Sequence, residues 1–181
     1  MKKLGVVHGR FQIFHFGHRA YVLEAFKHAD FLYIGVCTPA ICTSEEAAKT
    51  GYPCTAELNP LSFDERKETI ESVLDAENIP RVRYSVIPFP SDYQNLGQYV
   101  PSGVTFFMTV YDDLGRRKTD LLKTLGYDVS VLMDIDTRKD GERGGDVREC
   151  IESGKPWEHL VPPAAADIMK RPHIWPRLRK N

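Results

Sequence analysis

Apolar runs alternate with amphipathic stretches from the start of the chain. Leu4 to His8 is a short apolar run with the length of a buried strand. From Gly17 to His28, Ala20, Leu23 and Phe26 or Lys27 recur at helical spacing and predict a helix. Phe31 to Cys37 reads as a second strand. Ser62-Phe63-Asp64-Glu65 has the capping-box pattern, Ser at the N-cap and Glu three residues on. It predicts a helix to about Ala76, with Ile70, Val73 and Leu74 turned inward. Val82 to Ile87 and Val104 to Val110 are predicted as strands three and four. Asp113 to Leu125 is a predicted helix that stops at Gly126, and Val129 to Leu132 a fifth strand. Asp146 to Glu152 is a further helix, ended by Gly154 and Pro156. Pro162 to Met169 is the last, with proline near its first turn.

Strands alternating with helices imply a parallel sheet covered on both faces. The expected architecture is α/β: a single-domain, Rossmann-like, doubly wound five-stranded parallel sheet. Ligands of such sheets bind beyond the carboxyl ends of the strands, where the strand order reverses. Residues 1–170 are expected to form the domain and 171–181 a basic, Pro-rich tail, solvated or crossing back over it. Thr38 to Leu61 is long for a loop and is expected to be a mobile substrate loop.

Composition narrows the classes. The 181 residues suffice for one sizeable core, and 42% hydrophobic with 27% charged residues is ordinary for a globular chain. A net charge of −1 gives no basic field for nucleic acid, and no apolar run is long enough to span a bilayer. The four cysteines, Cys37, Cys42, Cys54 and Cys150, form no CxxC pair. They read as reduced thiols of a cytoplasmic protein rather than a metal site.

The chemistry gathers between the first strand and the first helix, in Gly9-Arg10-Phe11-Gln12-Ile13-Phe14-His15-Phe16-Gly17-His18. Gly9 and Gly17 let a ligand approach the backbone. Free N–H groups at a helix start favour anions. His15 and His18, three apart, project from one region, and Arg10 is a fork for non-bridging oxygens. Together they predict a phosphate site. A metal site lacks a third ligand beside the pair. The fingerprints GxGxxG and GxxxxGK[ST] are absent here, which argues against a dinucleotide-dependent dehydrogenase and a P-loop enzyme.

This segment resembles the GRFQPxHxGH signature of the HxGH nucleotidyltransferase superfamily, in its nicotinamide-nucleotide adenylyltransferase branch. Ile13 replaces the usual proline. Asn59-Pro60-Leu61-Ser62-Phe63-Asp64-Glu65-Arg66 is similar to the family's NPF[ST]xxER. Ile87-Pro88-Phe89-Pro90 with Asp92 and Asn95 resembles IPxPD…N. Asp146-Val147-Arg148, then Gly154, Trp157 and Leu160-Val161-Pro162, resemble its EVR…G–W…LVP ending.

The resemblance implies transfer of the adenylyl group of ATP to nicotinamide mononucleotide, giving NAD and pyrophosphate, with Mg²⁺ held mainly by phosphate oxygens. A CTP-dependent enzyme for another phosphate- or phosphonate-bearing acceptor, or a nucleotide sensor on the same scaffold, are the alternatives. By resemblance His15, His18 and Arg10 are catalytic, and Gly9, Gly17, Arg143, Gly144, Gly145 and Arg148 hold the triphosphate. Thr109 and Tyr111 lie over the base. Phe11, Asp92, Tyr93, Asn95 and Tyr99 are expected to hold the acceptor, with the tyrosines either stacking on a cationic ring or anchoring a polar loop. Two segments depart from the family. Arg143-Gly144-Gly145-Asp146 replaces a hydroxyl-bearing [ST]GT, so Arg143 either compensates or is a solvated loop charge. Thr109-Val110-Tyr111-Asp112 replaces TGNP, so Tyr111 either stacks on a base or covers the sheet edge. Arg66 is expected to pair with a glutamate or a phosphate, a structural ion pair being the favoured case, and the branch commonly forms oligomers.

Overall fold

Five strands form one sheet in which every neighbouring pair is parallel. They are β1 (Leu4–Gly9), β2 (Phe31–Cys37), β3 (Tyr84–Phe89), β4 (Thr105–Val110) and β5 (Asp128–Asp134), in spatial order β3-β2-β1-β4-β5. The computed structural model describes residues 2–37, 43–45, 55–90, 93, 95–134 and 143–179. Most of the expected substrate loop from Thr38 to Leu61, and Asp92, lie outside the described residues.

Helices α1 (Phe16–Phe26), α2 (Phe63–Ala76), α4 (Gly144–Glu152), α5 (Pro163–Met169) and α6 (Trp175–Leu178) share one buried cluster with Val7, Leu32, Ile34 and Val36. Helix α3 (Asp113–Thr124) closes the other face, where Leu122 joins Val6, Phe89, Phe106 and Met108. The sheet is therefore doubly wound, as the alternation predicts. Its order reverses between β1 and β4, so the carboxyl ends of these two strands border a crevice. At that end the β4–β5 register shifts between Met108 and Thr109. Such an irregularity re-aims the strand end beside the crevice.

Local signals account for the helix ends. Ser62 and Glu65 form the predicted reciprocal cap, with Glu65 N–H donating to Ser62 Oγ (3.2 Å) and Ser62 N–H to Glu65 Oε2 (2.8 Å). Asp112 Oδ1 accepts from Gly115 N–H at 2.9 Å and starts α3. Gly126, at φ 85°, follows its end.

Two expectations need correction, and a third resolves between its alternatives. The third strand begins at Tyr84; residues Arg81–Arg83 form a 3₁₀ turn that leaves Val82 82% exposed. Arg83 shapes this turn by donating to the carbonyls of Phe26 and Ala29. Helix α4 begins at Gly144, two residues before its apolar periodicity starts, because both glycines are helical. The basic segment after Lys170 crosses back over the domain, the second of its two expected readings. Ile174 and Leu178, one helical turn apart, are buried in the main core, and Trp175 stacks on Trp157 at 5.7 Å. Arg171 pairs with Glu68 and Arg177 with Glu65, both on α2.

Ending the chain after Lys170 should therefore destabilise it. Two buried aliphatic side chains are worth about 1.5–3 kcal/mol each, and the part-exposed ion pairs add little. A loss of roughly 3–6 kcal/mol is expected in urea unfolding. An unchanged midpoint would contradict this packing.

Candidate active site

The β1–α1 turn is held from beneath by groups that sequence reasoning left in the background. Gln12 is buried; its amide donates to the Leu61 carbonyl (2.8 Å) and accepts from Leu61 N–H (2.9 Å). The Gln12–Ile13 peptide is cis. Arg66, also buried, donates to the carbonyls of Arg10 and Cys37 at 2.8 Å each and of Ser62 at 3.1 Å. Backbone oxygens take all three of these guanidinium bonds. Gly9 leaves room for the Phe11 ring, which would stand 3.2 Å from an added Cβ. Phe11, only 1% exposed, meets His18 edge-on at 4.9 Å.

His15 is the N-cap of α1. Its Nδ1 accepts from Gly17 N–H at 3.1 Å, which leaves the proton on Nε2. The His15 and His18 rings lie 3.9 Å apart between centroids. Burial, chiefly, lowers the His15 pKa to about 4; Asp146 pulls it up and Arg148 pushes it further down. Burial also leads for His18, helped by His15 and Arg10 and opposed by the Ile13 backbone, and holds it well below the usual value. Both rings are therefore neutral hydrogen-bonding groups near pH 7.

Helix α4 arrives against the same turn. A Cβ on Gly144 would sit 2.8 Å from the Gln12 carbonyl oxygen and 3.2 Å from the Ile13 nitrogen, so only glycine fits. Arg148 donates to that same Gln12 carbonyl. Asp146 Oδ2 accepts from Arg143 N–H at 2.7 Å. Burial first, and the charge of Arg10 second, push the Arg148 pKa down. Two guanidiniums thus repel across a space beside two helix starts. Such an arrangement attracts anions.

Two clefts open here. One of about 410 Å³ is lined by Arg10, Phe11, Gln12, His15, His18, Tyr111, Asp112, Arg143, Gly144, Gly145 and Arg148. A second, of about 280 Å³ at the β1–β4 reversal, includes His8, Gly9, Tyr21, Cys37, Thr109 and Lys118. Both share Arg10, His18, Tyr111 and Asp112. The structure thus gathers Arg10, His15, His18, Arg143, Gly144, Gly145, Arg148 and Phe11 around the larger cleft, and Gly9 and Thr109 around the smaller. Tyr111, 38% exposed, stands where the two meet.

Other expected residues lie elsewhere. Gly17 lines neither cleft, and its N–H is bonded to His15, so it is not a free phosphate donor. Tyr93, Asn95 and Tyr99 line neither cleft. Tyr93 is buried against His8 (5.3 Å) and Phe89 (6.4 Å), which removes its face from a stacking partner. Tyr99 lies against Phe89 at 6.3 Å, and Asn95 is exposed. His8 and Lys118 were missed. Strand alternation from Leu4 through Val6 carries His8 to the carboxyl end of β1, which is the available signal for it.

The matched family model is described as "Cytidylyltransferase-like" and spans residues 6–177; the chain belongs to this family and is a nucleotidyltransferase. Among its relatives is the phosphonoformate cytidylyltransferase of Streptomyces viridochromogenes, 37% identical over 97% of this chain and 95% of that protein. The nicotinamide-nucleotide adenylyltransferase of Thermococcus onnurineus is 31% identical over 94% of this chain and 83% of that one. Of solved structures, a bifunctional NMN adenylyltransferase/ADP ribose pyrophosphatase from Francisella tularensis shares the fold at TM-score 0.66 and 16% identity. The match covers 98% of this chain and about half, 52%, of that one.

The depressed imidazoles set a pH dependence. His8, like His15, is lowered to about 4, mainly by burial. The unfolded chain takes up protons from about pH 6.5 downward, while the native state does not until about 4. Stability should be fully present above pH 6.5 and fall as the pH is lowered toward 4. His15→Asn keeps a capping oxygen and removes one such group. Its urea midpoint should fall less steeply across this window than that of the wild type; identical slopes would contradict the assignment.

Proposed function

We propose that this nucleotidyltransferase moves the cytidylyl group of CTP onto a small phosphonate- or phosphate-bearing acid. The observation that carries the reading is the pair of adjoining clefts, one basic and flanked by two helix starts, the other small and joined to it through Arg10 and His18. The larger suits a triphosphate. About 280 Å³ suits a compact acceptor, and this reading moves Thr109 from the base, where the resemblance put it, to the acceptor. The choice of CTP and of a phosphonate is supported by the 37% identity to a phosphonoformate cytidylyltransferase. The second reading, adenylyl transfer from ATP to nicotinamide mononucleotide, is favoured by archaeal relatives near 30% identity. It gains nothing from Tyr93 and Tyr99, which line neither cleft.

In this mechanism an anionic oxygen of the acceptor attacks the α-phosphorus in line. A bond forms from that oxygen to phosphorus, the bond from phosphorus to the β-bridging oxygen breaks, and pyrophosphate leaves with the electron pair. The attacking oxygen is already ionised, so no protein base is required, and catalysis is positioning plus charge stabilisation. The amides of Gly144 and Gly145, with Arg148 and Arg143, would hold the β- and γ-phosphates. His15 and His18 would donate to the triphosphate, His18 at the α-phosphate, and Arg10 would bridge the two substrates.

Among the described residues no three His, Cys, Asp or Glu side chains cluster to hold a metal. Asp112, which lines both clefts, is engaged in capping α3. Mg²⁺ would enter on the nucleotide, bound mainly by phosphate oxygens, and would neutralise the triphosphate beside Arg10 and Arg148.

The test is pyrophosphate release from CTP or ATP with phosphonoformate, phosphonoacetate or nicotinamide mononucleotide. Turnover is expected with CTP and a phosphonate. Turnover confined to ATP with nicotinamide mononucleotide would replace this reading with the second, and nucleotide binding without any product would point to a sensor. In the active pairing, His18→Ala should lower kcat by about 10²–10³ while nucleotide affinity changes only a few fold. Unchanged turnover would remove His18 from the mechanism.

A further inference from the structure

The smaller cleft contains a histidine and a lysine that the transfer step does not use. His8, at the end of β1, is fixed by rings on several sides: Phe89 at 5.1 Å, Tyr93 at 5.3 Å and Phe106 at 6.1 Å. Its Nε2 is buried with no hydrogen-bond partner among the described residues. A buried polar atom without a partner needs an explanation, and a ligand that completes it is one. Lys118, half-buried on α3, lines the same cleft. Among the described residues it makes no hydrogen bond or ion pair. Its charge acts on both His8 and Cys37, which line the same cleft.

We propose that His8 and Lys118 form a subsite for a second acidic group on the acceptor, so that the enzyme selects diacids over monoacids. This rests on the acceptor reading above. Arg10 and His18 line both clefts, whereas His8 and Lys118 line only the smaller one. An acceptor whose reacting oxygen lies beside Arg10 and His18 presents its remainder to His8 and Lys118. The carboxylate that lines this cleft, Asp112, accepts from Gly115 N–H at the start of α3, and the other lining groups carry no negative charge. Met108 and Leu114 are apolar, and burial pushes the Cys37 thiol up to about 11, so it stays neutral. Lys118 supplies charge, and the neutral His8 ring donates one hydrogen bond to an acidic oxygen.

The experiment compares phosphonoacetate, which has two acid groups, with methylphosphonate, which has one, each with CTP in the pyrophosphate assay. The wild type should favour phosphonoacetate in kcat/KM by about 100-fold. Lys118→Met should reduce that preference at least about tenfold through the acceptor KM, with the KM for CTP within about twofold as the control for folding. Lys118→Arg should retain most of the preference. His8→Phe, which keeps an aromatic ring among its neighbours, should lose part of it. Equal use of both acceptors by the wild type, or full preference in Lys118→Met, would overturn the proposal. If the wild type turns over neither acceptor, the transfer reading fails and calorimetry decides the subsite. Phosphonoacetate binding that Lys118→Met loses supports it; binding equal in both proteins, or absent from the wild type, overturns it.

Discussion

The site depends on how closely the start of α4 lies against the peptide between Gln12 and Ile13. Gly144 approaches so near that a single added carbon would meet the Gln12 oxygen at 2.8 Å. That oxygen also accepts from Arg148. One peptide therefore fixes both the backbone of the helix and its guanidinium, across more than 130 residues of chain. With α4 seated there, Gly144 and Gly145 line the same cleft as His15 and His18. A larger residue at position 144 would separate two helix starts whose positive ends are useful only together.

Rigidity beneath the turn makes this contact reproducible. Gln12 and Arg66 are polar side chains spent on backbone groups, which ties the ends of β1 and β2 to the start of α2. Phe11 supports the His18 ring from below. The electrostatics follow from this packing. Burial keeps the imidazoles neutral, and the guanidiniums of Arg10 and Arg148 are brought close enough to disfavour one another. An entering polyanion relieves that repulsion, so its binding energy is concentrated where charge develops during transfer.

Much of this was legible in the sequence, unevenly. Strand–helix alternation predicted the doubly wound sheet, and Gly9 to His18 predicted a basic turn at its carboxyl end, because local spacing alone places them. Gly144, Gly145 and Arg148 carry no local signal of where they fold to; resemblance supplied their place. Tyr93 and Tyr99 line neither cleft; a loop aromatic reads equally well as ligand platform or core anchor, and Tyr93 packs on His8. His8 was overlooked for the converse reason, since a histidine ending an apolar strand looks like core. Ile174 and Leu178 were hidden by the basic residues around them, although their spacing is that of one helical turn.

The most direct test is a crystal structure with a non-hydrolysable CTP analogue, α,β-methylene-CTP. The account requires the triphosphate to lie between the start of α4 and the paired imidazoles, with Gly144 and Gly145 amides and Arg148 on its oxygens. A nucleotide seated elsewhere, for example in the groove beside Trp157 and Trp175, with those amides and imidazoles untouched, would contradict it.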